Sequence, residues 1–238
     1  MADPVYNNVK PDEEIIIKPL QSIRDGNWIS GGNGGIFSGL PNIFDSLSFI
    51  KKQIIFSFFE SSTDWGGGTS GSKTFGVGSL LMQTTTTINT DVQVNDGSAG
   101  VENRTSYLSK NPEFSCGLSF GQATNQTIYF GMGDLSPYNT QQGLGFKNIN
   151  GTIYALSMNG GIESLTEITG LSLFNVYKVK LDSKTQKAYF YVNGILKATH
   201  ESNIPTQEDD IHINFFMTNT AAANKYIIVT FSLFQQDR

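Results

Sequence analysis

The chain has 238 residues, a formal net charge of −5 and a pI near 5.0, and only 16% of its residues are charged. An acidic chain with no basic run longer than Lys51-Lys52 lacks the positive patch that releases counterions from phosphate. Nucleic acid and anionic membranes are therefore not expected partners. No segment approaches 18 uncharged apolar residues, so no membrane-spanning helix is expected.

The first 45 residues differ in composition from the rest. Pro4, Pro11 and Pro19 interrupt a polar segment, and Ser30-Gly-Gly-Asn-Gly-Gly35 is too rich in glycine for a regular element. We expect residues 1–45 to form an irregular N-terminal arm that orders by packing on its own domain or on a neighbouring molecule. The alternative is a flexible terminus. The opening residues are polar and acidic and predict no secretory signal peptide.

Strand signals begin near residue 46 and continue along the chain. β-prone segments flank a glycine-rich loop at 64–72, and Asn175-Val-Tyr-Lys-Val-Lys-Leu181 alternates strictly between two faces. Asn150-Gly151 and Asn193-Gly194 are hairpin-turn signals. Short strands at this spacing, with no amphipathic helix, predict one all-β domain over residues 46–238, an antiparallel β-sandwich jelly roll.

The second half of the chain carries an ordered series of motifs. Its most specific part is the hairpin Phe190-Tyr-Val-Asn-Gly194 followed by Asn203-Ile-Pro205, and Gly143-Leu-Gly-Phe146 stands upstream of them. Through this series, residues 141–236 resemble the concanavalin A-like lectin/glucanase jelly roll, in the laminin-G-like form found in phage and archaeal-virus virion proteins. The resemblance implies the fold more strongly than it implies an activity.

Paired acids are the first chemistry to look for in such a fold. The glucanases of this superfamily resemble one another in carrying Glu-x-Asp-x-x-Glu on one strand, and retaining hydrolysis needs two carboxyl groups about 5 Å apart. The chain has no such triplet. The candidate pairs, Glu60 with Asp64 and Glu163 with Glu167, are expected to be solvated acids at strand ends. We therefore expect no enzymatic activity, with a glycoside hydrolase as the alternative.

Histidine, cysteine and metal ligands are few. His200 and His212 are the only histidines, both expected at exposed strand positions, and no Gly-x-Ser-x-Gly elbow accompanies them. Such scattered ligands do not predict a zinc site. Cys116 alternates with apolar residues and is expected to be a small core residue. Calcium, which relatives hold in loops at the sandwich rim, is left open with Asp209 and Asp210 as its candidate ligands. No other cofactor is expected.

Three aromatic residues in loops are candidates for binding carbohydrate, which needs an exposed ring beside amide and carboxylate groups. Trp28 and Trp65 lie in loops rich in glycine, asparagine and serine, and Tyr138 lies in the similar segment Ser136-Pro-Tyr-Asn139. The alternative is that each tryptophan closes the end of the core or an interface.

The combined features predict a protein that displays a surface. We expect a non-enzymatic virion structural or surface protein, a capsid, decoration or spike component made in the host cytoplasm. It would self-associate or join other virion proteins through the arm, and its lectin-like jelly roll would attach to host glycan. The alternative is a free-standing carbohydrate-binding module or lectin.

Overall fold

The structure is a computed structural model that describes residues 52–57, 65, 67, 70–76, 78–96, 108–137, 142–206 and 211–237. The strand at 52–57 is described by its backbone pairing. The predicted arm, residues 1–45, lies outside the described residues.

The described residues form fourteen strands and one short 3-10 helix, Leu108–Lys110. The strands are β1 (Lys52–Ser57), β2 (Ser72–Gly76), β3 (Ser79–Gln83), β4 (Asp91–Asn95), β5 (Glu113–Phe120), β6 (Gln126–Gly133), β7 (Gly143–Ile149), β8 (Thr152–Asn159), β9 (Ile162–Ile168), β10 (Phe174–Asp182), β11 (Lys187–Val192), β12 (Ile195–His200), β13 (Ile213–Asn219) and β14 (Tyr226–Asp237). Within these ranges, no helix is long and apolar enough to cross a membrane.

Two antiparallel sheets make up the domain. The eight-stranded sheet has the order β12-β11-β10-β5-β14-β3-β2, with β1 also paired to β14, and the six-stranded sheet has the order β4-β13-β6-β7-β8-β9. Strand β5 pairs with both β10 and β14, and β13 joins β4 to β6, so neighbours in each sheet are often distant in sequence. Such crossovers are typical of a jelly roll, and the predicted all-β antiparallel sandwich is confirmed.

The two predicted Asn-Gly turns form hairpins. Asn150 and Gly151 both have positive φ and connect β7 to β8, and Asn193 and Gly194 do the same between β11 and β12. Positive φ at both central residues is the requirement of a type I′ turn, whose twist matches that of the flanking strands. The side chain of Asn193 also accepts a hydrogen bond from the amide of Val176 at 2.8 Å, which ties this turn to β10.

Aromatic rings join the sheets at the centre of the core. Phe130 and Phe146 of the six-stranded sheet stack 5.4 Å apart, and Tyr177 of the eight-stranded sheet meets them edge-on at 4.9 and 5.0 Å. Phe190 lies 5.8 Å from Phe146. Cys116, on the strand beside Tyr177, is fully buried, and burial raises the pKa of its thiol, so the prediction of a core residue is confirmed.

Replacing Phe146 by alanine tests the weight of this aromatic cluster. The ring is fully buried, so Phe146→Ala is expected to lower the free energy of unfolding by about 3–5 kcal/mol, from lost contacts and the cavity left behind. Ile162→Ala, at a side chain that is 65% exposed, is the control and is expected to change it by less than about 1 kcal/mol. Urea unfolding measures both, and equal losses would contradict the central role of the cluster.

Candidate functional site

Trp65 is the predicted carbohydrate-binding residue that the structure describes, and it lies in the core. Its side chain is 6% exposed, and its ring packs 6.4 Å from that of Phe215 at an interplanar angle of 53°. The indole face is therefore not available to a ligand, and the alternative interpretation, a tryptophan that closes the core, describes its position. Trp28 and Tyr138 lie outside the described residues.

The structure describes only some of the candidate metal ligands. Asp209 and Asp210 lie outside the described residues. Within the described ranges, no group of three or more histidine, cysteine, aspartate or glutamate residues is placed to hold a metal ion. The buried Asp96 accepts a hydrogen bond from the backbone amide of Ile213 at 2.7 Å, so it fastens the end of β4 to β13.

His200 is buried, and the expectation of an exposed residue was wrong. It is 6% exposed at the end of β12, where this edge strand comes close to β9 of the other sheet. Its Nδ1 lies 2.9 Å from Oγ of Ser157 and its Nε2 lies 3.0 Å from Oγ1 of Thr166. Because Ala198 is also buried, alternation along β12 turns both residues inward.

Ser157 and His200 belong to a hydrogen-bond network that holds strands together. The Ser157 hydroxyl donates to the carbonyl of Ser202 at 2.9 Å, so the proton between Ser157 and His200 belongs to the imidazole. Nδ1–H then donates to Ser157 and Nε2 accepts from Thr166. An imidazole already protonated on the nitrogen that faces Ser157 is not a base for that hydroxyl. The network instead links β8, β9 and the end of β12.

Glu163, one of the acids considered for catalysis, is neutralised by a lysine. It lies on the outer face of the six-stranded sheet, where its two carboxylate oxygens are 2.8 and 2.7 Å from Nζ of Lys147. Tyr129 donates to it at 3.3 Å, and the ammonium of Lys147 lies 4.7 Å from the centre of the Tyr129 ring. Burial lowers the pKa of Lys147, but the hydrogen bonds to Glu163 and Tyr129 outweigh it and the pKa ends above its ordinary value.

Glu163 and Glu167 cannot act as a close pair. They stand four residues apart on β9, which is about 13 Å along a strand. Retaining hydrolysis needs a separation of about 5 Å and inverting hydrolysis about 6.5–9.5 Å. The other candidate pair, Glu60 and Asp64, lies outside the described residues.

The centre of this face is filled by Leu135. A Cβ built on Gly131, Gly143 or Gly145 would lie 2.5–2.8 Å from the δ-carbons of Leu135, so these glycines provide the space that its side chain occupies. Leu135 belongs to a second apolar cluster of buried residues with Tyr129, Leu156, Met158 and Phe216. A ligand therefore has no access to the sheet surface at these positions.

The outer face of the eight-stranded sheet, in contrast, has an open depression of about 530 Å³. We call it the tyrosine groove, and it is lined by Asn111, Lys180, Asp182, Tyr189, Tyr191 and Asp237. Ala188, Phe190 and Val192 of β11 point into the core, so Tyr189 and Tyr191 point outward side by side. Pairing of β10 with β11 sets Lys180 opposite Tyr189 and Lys178 opposite Tyr191.

The amide and carboxylate groups of the groove are engaged within the protein. Asn111 donates to Asp237 at 2.6 Å and accepts from the amide and hydroxyl of Ser183 at 3.0 and 2.7 Å. Asp182 accepts from the amides of Lys184 and Thr185 at 3.0 and 3.2 Å. Hydrogen bonds from the side chain and backbone of Thr185, the largest contributions, hold the pKa of Asp182 below its ordinary value.

Three groups in the groove remain available to a ligand. The hydroxyls of Tyr189 and Tyr191 form no hydrogen bond with the described part of the chain, and the ammonium of Lys180 forms neither a hydrogen bond nor a salt bridge there. These tyrosines were not among the predicted binding residues, which were aromatic residues in loops. Alternation in Lys187-Ala-Tyr-Phe-Tyr-Val192 already placed both on one face.

No family model and no curated protein sequence matches the chain. Several solved structures match it. The Shewanella oneidensis MR-1 protein SO2946, of unknown function, matches with a TM-score of 0.56 at 15% identity, covering 88% of this chain and 97% of that one. The Bacillus licheniformis β-glucanase matches with a TM-score of 0.55 at 11% identity, covering 78% and 98%. The carbohydrate recognition domain of Emp47p matches with a TM-score of 0.52 at 13% identity, covering 74% and 89%.

These similarities identify the fold. Several of the matching structures are carbohydrate recognition or glucanase domains, so the architecture is the concanavalin A-like jelly roll that the motifs of residues 141–236 resemble. At such low identities the similarity extends to the fold alone, since one fold serves many activities.

The burial of His200 predicts a pH dependence. Burial lowers its pKa below 6.5, so the unfolded chain takes up a proton first as the pH falls. The stability contributed by the neutral imidazole is complete above about pH 6.5 and is lost as the pH falls through the folded-state pKa, at up to about 1.4 kcal/mol per pH unit. When the free energy of unfolding is measured with urea between pH 5 and 8, the part of its pH dependence that comes from His200 is expected to be absent in His200→Gln.

The control for this measurement is His212→Gln. Nε2 of His212 lies 3.4 Å from a carboxylate oxygen of Asp134 near the surface, rather than among buried hydroxyls. If the pH dependence of the free energy of unfolding were unchanged in His200→Gln, or changed equally in both variants, its assignment to His200 would be contradicted.

Proposed function

We propose that the protein is a non-catalytic surface protein whose jelly roll binds saccharide in the tyrosine groove. The observation that carries this proposal is the pair of outward tyrosine rings in an open depression of about 530 Å³, whose hydroxyls form no hydrogen bond with the described residues. A tyrosine offers an apolar ring to the carbon–hydrogen face of a sugar and a hydroxyl to its polar edge. The volume lies within the ordinary range of about 300–1,000 Å³ for ligand sites.

The state of the acids and of the histidine supports a non-catalytic role. Glu163 is bound by Lys147, and Asp182 and Asp237 accept hydrogen bonds from their own chain. The imidazole of His200 donates its one ring proton to Ser157 and accepts a hydrogen bond from Thr166. Each of these groups is committed to the architecture, whereas a general acid or base needs to reach the bond that reacts.

The setting we propose is a virus particle. The support is the motif series around Phe190-Tyr-Val-Asn-Gly194, which resembles virion proteins. In this proposal the protein is a capsid, decoration or spike component made in the host cytoplasm. It associates with itself or with other virion proteins, and the exposed groove contacts glycan of the host surface.

A free-standing lectin is the second candidate. The structural similarity to the carbohydrate recognition domain of Emp47p favours it, because that domain has the same architecture. Both candidates use the tyrosine groove in the same way, and they differ in whether the protein belongs to a particle.

Tyrosine substitutions test the groove. Tyr189→Ala and Tyr191→Ala are each expected to weaken saccharide binding by about 10-fold or more, or about 1.4 kcal/mol, because each removes a ring from the contact surface. Tyr154→Ala is the matched control, a half-buried tyrosine on the outer face of the six-stranded sheet. A glycan array followed by calorimetry measures the effect, and binding that survives in the double variant would refute the site.

The virion setting has its own test. The protein is expected in purified particles, and light scattering is expected to show an oligomer that becomes a monomer when residues 1–45 are deleted. Absence from particles would leave the free-standing lectin, and a monomer with the arm present would rule out self-association through it.

A further inference from the structure

The loops at one end of the sandwich carry almost no charge. Six loops join successive strands at this end, which we call the uncharged end: residues 84–90, 121–125, 150–151, 169–173, 193–194 and 220–225. Lys225 is the one charged residue in these loops, and it is only 4% exposed. The loops at the opposite end contain charged residues that include Asp96, Lys110, Asp134, Lys184 and Glu201. The charge of the domain is therefore distributed unevenly between its two ends.

Charged side chains border the uncharged end at the edges of the two sheets. Asp91 lies on the edge strand β4 and Lys197 on the edge strand β12. Val92 and Val94 of β4 are buried in the core, so Asp91 points to the outer face of its sheet. The ammonium of Lys197 donates to the carbonyl of Thr169 at 3.3 Å. The loops between these edges remain without exposed charge.

The uncharged end also carries most of the exposed large apolar side chains. Nine such side chains occur among the described residues, and seven of them lie in these loops or at the strand ends beside them: Ile88, Ile149, Leu173, Phe174, Ile195, Leu196 and Tyr226. Leu173 is 86% exposed and Ile195 is 61% exposed. Apolar side chains that are scattered singly need no explanation, whereas their concentration on one surface indicates a site of interaction.

Hydrogen bonds hold four of the loops in one surface. The side chain of the buried Asn219 donates to the carbonyl of Thr85 at 3.0 Å. The amide of Thr220 donates to the carbonyl of Asn125 at 2.9 Å, and the amide of Asn125 donates to the side chain of Asn150 at 2.7 Å. These contacts connect the loops at 84–90, 121–125, 150–151 and 220–225.

The other two loops meet around the buried side chain of Asn175. Its oxygen accepts from the amide of Ser172 at 3.2 Å and from the side chain of Asn193 at 3.0 Å. Leu173 and Ile195 flank these contacts and therefore belong to the same part of the surface. Loops that are already ordered lose less conformational freedom when they bind a partner.

A second copy of the chain suits this surface because the surface is uncharged. The net charge of −5 opposes contact between two copies wherever acids would face each other. A two-fold contact uses the same patch on both copies, so the patch has to be complementary to itself. An apolar patch without exposed charge meets that requirement.

The size of the uncharged end is sufficient for such a contact. Strands about 4.8 Å apart in sheets about 10 Å apart give this end dimensions of about 30 by 20 Å once side chains are included. This area is of the same order as the roughly 800 Å² that each partner buries in an interface of standard size.

We infer that two copies of the chain meet end to end through their uncharged ends and bury Leu173, Phe174 and Ile195 between them. This inference rests on the self-association in the proposed function, and it names the surface and the partner. Association costs translational and rotational freedom, so a contact of this size is stable when a second link keeps the copies close. In the proposed function residues 1–45 supply that link.

The end-to-end arrangement leaves the tyrosine groove accessible. The groove is lined by Asp182 and Asp237, which are the last residues of β10 and β14. The first residues of the same strands, Phe174 and Tyr226, lie at the uncharged end. Association and saccharide binding therefore use opposite ends of these strands and can be measured separately.

Sedimentation equilibrium of the full chain tests the contact. Leu173→Asp and Ile195→Asp are each expected to raise the dissociation constant of the oligomer by about 10-fold or more, because each places carboxylates in an apolar contact. Ile162→Asp is the matched control, since this side chain is 65% exposed but lies at the opposite end, and it is expected to leave the dissociation constant unchanged. All three variants are expected to keep the circular dichroism spectrum of the wild-type protein.

Each outcome supports or overturns the inference. Dissociation by Leu173→Asp and Ile195→Asp, with Ile162→Asp unaffected, supports it. An oligomer that is unchanged in both end variants, or weakened equally in all three, overturns it and leaves association through the arm standing. A wild-type chain that is monomeric overturns both, while calorimetry with saccharide still tests the groove. A monomer that binds phosphatidylcholine vesicles through Leu173 overturns the inference in favour of a lipid surface.

Discussion

The contact between aromatic rings in the middle of the sandwich determines how the rest of the domain is arranged. Phe130 and Phe146 from one sheet meet Tyr177 and Phe190 from the other, at ring separations of 4.9–5.8 Å. Side chains alternate along a strand, so a residue fixed inward sends both of its neighbours outward. The inward direction of Phe190 is therefore the physical cause of the outward direction of the tyrosines on either side of it.

The two outer faces of the sandwich differ because their strands carry different residues at the outward positions. On the six-stranded sheet, glycines leave space for Leu135, and the Lys147–Glu163 pair lies beside an apolar cluster. On the eight-stranded sheet, the outward positions of β10 and β11 carry lysine and tyrosine, and they remain accessible. A glycan-binding role is therefore proposed for the second face, where rings and polar groups reach solvent together.

The polar groups of the domain fall into two classes with different consequences for function. Most are committed to the architecture, as in the hydroxyl network of His200 and the bonds from Asn111 to Asp237 and Ser183. A committed group stabilises the fold but has little left to offer a ligand. The hydroxyls of Tyr189 and Tyr191 and the ammonium of Lys180 are the exception within the described residues of the groove. In the proposed function, these are the groups of the groove that contact the saccharide.

The sequence by itself determined the features that depend on local geometry. Alternation in residues 175–181 and the turns at Asn150-Gly151 and Asn193-Gly194 gave the strands and hairpins, because side-chain direction and positive φ are set within a few residues. Only the tertiary structure decided which of these side chains are buried and which are exposed. Trp65 and His200 are buried by strands distant in the chain, and Asn111 reaches Asp237 across 126 residues. Such contacts depend on the order of strands in the two sheets, which no local pattern specifies.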